Sequence, residues 1–131
     1  MKKLPNILII EPDIVLAKTY QRFLEDQGYK ITISHEAQLA IDTMEKNTPN
    51  LIIIELQLSS HNGYEFLYEL RSYSEWSSIP VIVNSLIPTS DLDMGGKVVK
   101  HLGIVEYLYK PNLSLKKLLK IVEKTLNDDV V

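Results

Sequence analysis

The sequence predicts an α/β fold, a doubly wound five-stranded parallel sheet with helices on both faces. Five short runs of apolar, often β-branched residues occur along the chain, and stretches with apolar residues at helical spacing separate them. Such alternation is typical of parallel sheets, because each helix returns the chain to the edge where the next strand begins. Residues 1–131 show no internal repeat, low-complexity segment or linker, so we expect a single domain.

Two of the five predicted strands are continuously apolar, which is typical of strands buried on both faces of a sheet. The others are shorter or alternate in polarity. The five predicted strands are Ile7–Ile10, Tyr29–Ser34, Leu51–Ile54, Val81–Val83 and Ile104–Tyr109.

Four helices are predicted from apolar residues spaced three and four apart. Asp13 can cap the first helix, and Gly28 suits the position after its last turn. Between Leu86 and Gly96 a proline and a glycine pair interrupt the pattern, so we expect a short or irregular fourth helix there. The four apolar stripes comprise Leu16, Tyr20, Phe23 and Leu24; Ala37, Ala40, Ile41 and Met44; Phe66, Leu67 and Leu70; and Leu115, Leu118, Leu119, Val122 and Leu126.

The composition excludes several classes of function. The net charge of −3 argues against a direct nucleic-acid-binding module, and the lysines of 97–100 and 116–120 are interpreted as solvated helix faces. Without cysteine there is no disulfide, thiolate metal site or cysteine nucleophile. No run is long enough to span a membrane and no signal-peptide pattern is present, so the cytoplasm is the expected location. His35, His61 and His101 lack metal-ligand spacing, and we expect them at surface or loop positions.

Four polar residues end predicted strands: Glu11, Glu55, Ser85 and Lys110. In open α/β sheets, ligands bind at the carboxyl ends of the strands, near the switch in strand order. A carboxylate at the end of a buried strand is unfavourable unless it is paired. The group could be a structural salt bridge at the sheet edge, or a pocket that handles a phosphate or a metal.

The whole chain resembles the bacterial response-regulator receiver family. The resemblance implies a flavodoxin-like, CheY-like (βα)5 fold. It rests on five segments in family order and near-family spacing: Ile7–Glu11, Pro49–Leu56, Asn62-Gly63, Ile79–Ser85 and Gly103–Pro111.

The resemblance also implies a mechanism. In this family a sensor histidine kinase phosphorylates an aspartate at the position of Glu55, next to a divalent metal, usually Mg²⁺. Ser85 and Lys110 would grip the phosphoryl oxygens, and Tyr107 would turn inward. A cis peptide bond before Pro111 would aim the lysine. The face formed by the fourth helix, fifth strand and fifth helix would then exchange partners.

Several positions depart from the family pattern. Glu55 replaces the phosphoacceptor aspartate, and its longer side chain misplaces an in-line attack. Pro12 replaces a metal-binding acidic residue, and Ser59 replaces the usual loop proline. The segment 86–102 is a few residues longer than is typical. Glu11 and Glu55 remain as weak metal ligands in an acidic pocket with Asp13, which we expect to face the helix cap. No obligatory cofactor is predicted.

We therefore predict an atypical, non-enzymatic receiver that works by protein contacts without phosphorylation. Its partner would be a sensor histidine kinase or another signalling protein, and a homodimer is compatible with this prediction. The alternative is a working receiver that accepts a phosphoryl group on Glu55 or Asp13. An FMN or nucleotide binder is disfavoured, because Glu11-Pro12-Asp13 lacks the phosphate-binding loop that such a site needs.

The sequence further predicts a direct ion pair between Glu55 and Lys110 that stands in for the phosphorylated state. Ser85 should reach the same carboxylate, and Tyr107 should then turn inward. The competing arrangement has Glu55 turned towards Glu11 through water or a cation, with Lys110 free. The sequence does not decide whether the resulting state is active or inactive.

Overall fold

The computed structural model describes residues 4–58, 62–88 and 97–127, which form five strands and five α-helices. The strands β1 to β5 are Asn6–Ile10, Lys30–Ser34, Leu51–Ile54, Val81–Ser85 and Ile104–Tyr109. The helices α1 to α5 are Ile14–Asp26, Ala37–Lys46, Gly63–Arg71, Lys97–His101 and Leu115–Asn127. Short 3-10 turns cover Ser74–Trp76 and Lys110–Asn112.

The predicted strands are all present, with small shifts at their ends. The largest difference is in β4, which continues beyond Val83 to Ser85 and is buried along its whole length. The five-residue α4 begins at Lys97, after the segment Leu86–Gly96 in which the sequence predicts the short fourth helix, and residues 89–96 lie outside the described residues. The glycine pair before it lies outside the described residues.

All five strands are parallel, in the order β2-β1-β3-β4-β5, and this confirms the predicted doubly wound sheet. The strand order reverses at β1, which pairs with β2 on one side and with β3 on the other. Such a switch point leaves a crevice at the carboxyl ends of the two neighbouring strands. Glu11 and Glu55 are the residues that follow β1 and β3.

The core has two parts, one on each face of the sheet. On one face, Ile7 and Ile9 pack with buried residues of α1 and α5. On the other face, Leu8 and Ile10 pack with buried residues of α2 and α3. Successive side chains of a strand point to opposite faces, so β1, β3, β4 and β5 contribute to both parts, whereas β2 at the edge of the sheet contributes only to the first.

A single arginine joins several segments near the amino ends of β4 and β5. The guanidinium group of Arg71 donates hydrogen bonds to the carbonyl oxygens of Leu102 at 2.9 Å, Trp76 at 2.9 Å and Ile79 at 2.6 Å. Gly103 has a positive φ of 72°, and a Cβ there would collide with the same guanidinium group. Nothing in the residue pattern of the sequence predicts this contact.

Candidate functional site

The carboxyl ends of four strands bring Glu11, Glu55, Ser85 and Lys110 together, as their positions in the sequence predict. The Lys110 ammonium Nζ lies 2.7 Å from Glu55 Oε1 and 2.7 Å from Glu11 Oε1. The side chains are 3% exposed for Glu11, 2% for Glu55 and 11% for Lys110. The site is therefore a nearly enclosed group of charges in which one lysine serves two carboxylates.

The carboxylate of Glu55 accepts four hydrogen bonds. Oε1 accepts from Lys110 Nζ at 2.7 Å and from the backbone amide of Leu86 at 3.1 Å. Oε2 accepts from the hydroxyl of Ser85 and from the backbone amide of Gln57 at 3.0 Å. The predicted pair with Lys110 and the predicted contact with Ser85 are both present. The two backbone donors were not predicted, because they depend on how the chain turns after β3 and β4.

These contacts decide the charge of the site. Burial alone would raise the pKa of Glu55, but the hydrogen bonds from Gln57, Lys110 and Ser85 outweigh it and hold the pKa below its ordinary value. Burial would lower the pKa of Lys110, but the hydrogen bonds to Glu11 and Glu55 raise it overall. At neutral pH the site therefore holds a carboxylate at Glu55 and an ammonium at Lys110.

The sequence offers two arrangements for Glu55, a direct pair with Lys110 or a cation shared with Glu11, and the structure contains parts of both. Lys110 pairs directly with Glu55, yet it also pairs with Glu11, so the cation between the two carboxylates is the lysine itself. The second oxygen of Glu11 accepts a hydrogen bond from the backbone amide of Asp13 at 3.1 Å. Lys110 is thus held from two sides, and the arrangement with a free lysine is excluded.

The predicted cis peptide bond before Pro111 is wrong, since the described residues contain no cis peptide bond. Lys110–Asn112 forms a 3-10 turn instead, with the proline in its first part. A proline near the start of a helical turn fits its fixed φ and its missing amide. This turn lets Lys110 reach both carboxylates with a trans bond.

The residues present do not make a good site for a divalent metal. Lys110 already lies between Glu11 and Glu55, and Pro12 offers no side-chain oxygen. Asp13 instead accepts a hydrogen bond at 3.0 Å from a backbone amide in the first turn of α1, as the sequence predicts for a helix cap. Within residues 4–58, 62–88 and 97–127, no group of three or more His, Asp or Glu could hold a metal ion.

Tyr107 connects the site to the segment after β4. The ring is half-buried and packs against the core, and its hydroxyl donates to the carbonyl oxygen of Ile87 at 2.8 Å. The amide of Ile87 in turn donates to the hydroxyl of Ser85 at 3.1 Å. This geometry agrees with the inward orientation that we predict for Tyr107.

Two polar contacts near the site were not predicted. The side-chain amide of Asn84 donates to the Tyr20 hydroxyl at 2.9 Å between β4 and α1, where burial raises the pKa of the phenol. His35 is exposed, and its Nδ1 donates to the carbonyl oxygen of Glu11 at 2.9 Å. A polar residue in an apolar strand is the signal that could have indicated Asn84. Ser59 and His61, considered from the sequence, lie outside the described residues.

Comparisons with known proteins give a consistent family and fold. Residues 7–123 match the model of the response regulator receiver domain family. The probable transcriptional regulator ycf29 of Pyropia yezoensis is 32% identical over 127 residues, covering 96% of this chain and 55% of the relative. The transcriptional regulatory protein MalR of Bacillus subtilis is 32% identical over 108 residues, covering 81% of this chain and 44% of the relative.

Solved structures of response regulators share the fold of this chain. The chemotaxis response regulator CheY4 of Vibrio cholerae superposes with a TM-score of 0.83 at 20% identity, covering 95% of this chain and 100% of that chain. A two-component response regulator from Clostridium difficile gives a TM-score of 0.80 at 27% identity, covering 94% of this chain and 96% of that chain. The chain spans about half the length of the first curated relatives that it matches. Within residues 4–58, 62–88 and 97–127, every helix is too short or too polar to span a lipid bilayer.

Proposed function

The chain belongs to the response regulator receiver domain family, and from this premise we propose that residues 1–131 form a receiver that signals through protein contacts without being phosphorylated. It would act as a non-enzymatic module in the cytoplasm.

One observation carries the proposal. The hydroxyl of Ser85 and the ammonium of Lys110, which the family resemblance assigns to gripping a phosphoryl group, are both bound to the carboxylate of Glu55. The backbone amide of Leu86 donates to the same carboxylate. A phosphoryl group could enter only by displacing these donors from an anion that they already satisfy. The longer side chain of Glu55 thus places the receiver's own carboxylate among the donors that would otherwise hold a phosphoryl group.

The position of Lys110 also explains why Mg²⁺ should bind weakly. A divalent metal at the carboxylates of Glu11 and Glu55 would have to displace an ammonium that contacts both. Affinity for hard cations grows with the number of carboxylate ligands, and Pro12 contributes none. When bound, Mg²⁺ would offset the negative charge of the phosphoryl group, a role that has no counterpart without phosphorylation.

Because the charge at Glu55 does not change, we expect the surface formed by α4, β5 and α5 to keep one conformation. The hydroxyl of Ser85 donates to the carboxylate of Glu55 and accepts a hydrogen bond from the amide of Ile87. The carbonyl oxygen of Ile87 accepts a hydrogen bond from the hydroxyl of Tyr107 on β5. β5, which belongs to the face formed by α4, β5 and α5, is therefore connected to the ion pair through three consecutive hydrogen bonds. We propose that this face binds a signalling partner, either a sensor histidine kinase or an output protein of the kind the relatives' names describe, transcriptional regulators. A homodimer formed through this face is also compatible with the proposal.

The proposal can be tested by recording amide NMR spectra while Mg²⁺ and then beryllofluoride, an analogue of the phosphoryl group, are added. We expect neither addition to produce saturating shifts at Glu55, Ser85, Leu86 or Tyr107. The matched control is P12D/E55D, which restores the family's acidic residues and should respond to both additions.

Two results would contradict the proposal. One is Mg²⁺ binding to the parent protein with a dissociation constant at or below about 0.1 mM, which is tighter than the weak calcium sites of extracellular modules. The other is a beryllofluoride-dependent shift of Tyr107 in the parent as large as in the restored variant.

A further inference from the structure

An asparagine interrupts the apolar interior of β4. Asn84 is 2% exposed and follows Val81, Ile82 and Val83. Its side-chain amide donates to the hydroxyl of Tyr20 on α1 at 2.9 Å, whereas its Oδ1 has no hydrogen-bond partner among the described residues. A buried amide that is only partly paired costs free energy, and an apolar side chain of similar size would fill the same space without this cost. Stability alone therefore does not account for an asparagine at this position.

Asn84 directly precedes the two residues of this segment that bind Glu55. The hydroxyl of Ser85 donates to Glu55 Oε2, and the backbone amide of Leu86 donates to Oε1 at 3.1 Å. Because side chains two residues apart in a strand share a face, Asn84 lies on the same face as Ile82, which α1 and α5 cover. The hydrogen bond to α1 therefore fixes β4 at the residue just before both donors.

Helix α1 is itself attached to the site. The backbone amide of Asp13, which caps α1, donates to Glu11 Oε2 at 3.1 Å, and Glu11 pairs with Lys110. Tyr20 lies about two turns further along the helix and is 5% exposed. Burial is the main cause of its raised pKa, and the charges of Lys110, Glu11 and Glu55 also act on it, as expected for a hydroxyl close to the ion pair. The same helix is thus fixed to Glu11 at its start and to β4 at Tyr20.

We propose that Asn84 and Tyr20 are positioning residues for the site. Their hydrogen bond holds the end of β4 against α1, and this keeps the donors of Ser85 and Leu86 on the carboxylate of Glu55. The inference rests on the proposed function, in which these donors have to stay on the carboxylate for the receiver to keep one state. It names the residues that hold them there.

Amide hydrogen exchange followed by NMR tests this role in Y20F and in N84L, without Mg²⁺ or a phosphoryl donor. We expect the amide of Leu86 to exchange about fivefold faster than in the parent, which is the ratio that corresponds to one ordinary hydrogen bond. The amide of Ile87, which donates to Ser85, should follow it. Amides in the middle of β3, such as that of Ile53, should change only as the global stability from urea unfolding requires. A purely structural role would accelerate all of these amides together.

The variant Y20F/N84L shows whether the two residues act through their shared hydrogen bond. Each single change removes that bond, so the double variant should exchange at Leu86 no faster than either single variant. Y29F and N6L are matched controls, which should leave the Leu86 exchange as in the parent once global stability is taken into account. Tyr29 is a partly buried tyrosine on the same face of the sheet. Asn6 is a buried asparagine at the amino edge, and its Oδ1 also lacks a partner within the described part of the chain.

Circular dichroism establishes that each variant is folded, and N84V replaces N84L if leucine does not fit beside Tyr20. The proposal is overturned if the Leu86 amide keeps its parent exchange rate in Y20F and N84L. It is also overturned if Leu86 and Ile53 accelerate equally, or if a control produces the same local change. Phosphorylation of the parent by acetyl phosphate would contradict the proposed function but would leave these exchange rates unaffected, so the two inferences can fail separately.

Discussion

At the scale of single residues, the site depends on the length of one side chain. Glutamate is one methylene longer than the aspartate usual at this position, and its carboxylate reaches both Lys110 and Ser85 directly. Charges buried without partners are strongly unfavourable, so the pairing of Glu55 is a requirement of its burial as well as a feature of the proposed function.

Replacing Glu55 by glutamine should destabilise the protein. The amide keeps the shape of the side chain, but its NH₂ group would face either the donors Lys110 and Leu86 or the donors Ser85 and Gln57. An unsatisfied buried polar group costs about 1–3 kcal/mol. Urea unfolding at neutral pH measures this loss, with the exposed change Glu45→Gln as a control that should have little effect. Equal stabilities of the Glu55 variant and the parent would show that the ion pair contributes nothing.

The stability difference between the parent and Glu55→Gln should depend on pH. The folded-state pKa of Glu55 is below its ordinary value of 4.5, so its contribution to stability is complete above that value and is lost as the pH falls through the folded-state pKa. The raised pKa of Lys110 keeps the ammonium charged throughout this range. Urea unfolding series from neutral to acidic pH should show the two proteins converging in acid. A difference that stays constant as the pH falls through the acid range would mean that the Glu55 charge is not its source.

At the scale of secondary-structure elements, buried strands hold the site and their ends display it. The sequence was sufficient for the strands and for the polar residues at their ends, because continuous apolar runs and the parallel-sheet rule need only local patterns. It was not sufficient for Lys110 bridging to Glu11, which depends on the relative placement of three strands. The cis bond before Pro111 was inferred from family resemblance alone, whereas the structure has a 3-10 turn there and Lys110 still pairs with both carboxylates.

Arg71 shows the same limit at the other end of the sheet. Its guanidinium is fixed by three carbonyl oxygens from separate segments, and no periodic pattern encodes such a contact. Gly103 was equally unremarkable in the sequence. Only the folded chain shows that it combines a positive φ with close approach to Arg71.

Two glycine substitutions separate these effects. Gly28→Ala should cost about 1–2 kcal/mol, since Gly28 also has a positive φ of 97° but no atom lies within 4 Å of the added Cβ. Gly103→Ala should cost about 1–3 kcal/mol more, because the pinned guanidinium of Arg71 cannot move aside freely. Thermal or urea unfolding of the two variants gives the comparison. Equal losses would show that Arg71 adapts to the new side chain without cost.

At the scale of the whole molecule, the ion pair of Glu55 and Lys110 is connected through hydrogen bonds to elements on both faces of the sheet. The ion pair lies at the carboxyl edge of the sheet, and its contacts continue through Ser85 and Ile87 to Tyr107. Two further hydrogen bonds connect α1 and its cap to the same edge. A receiver of this kind would keep the family fold and a partner surface while its phosphorylation site holds a permanent internal charge.

The most direct test of this account is intact-mass spectrometry after incubation with acetyl phosphate and Mg²⁺, comparing the parent protein with P12D/E55D. We expect the parent mass to be unchanged, while the restored variant gains the mass of one phosphoryl group. Stoichiometric addition of a phosphoryl group to the parent, located at Glu55 by peptide mapping, would contradict it.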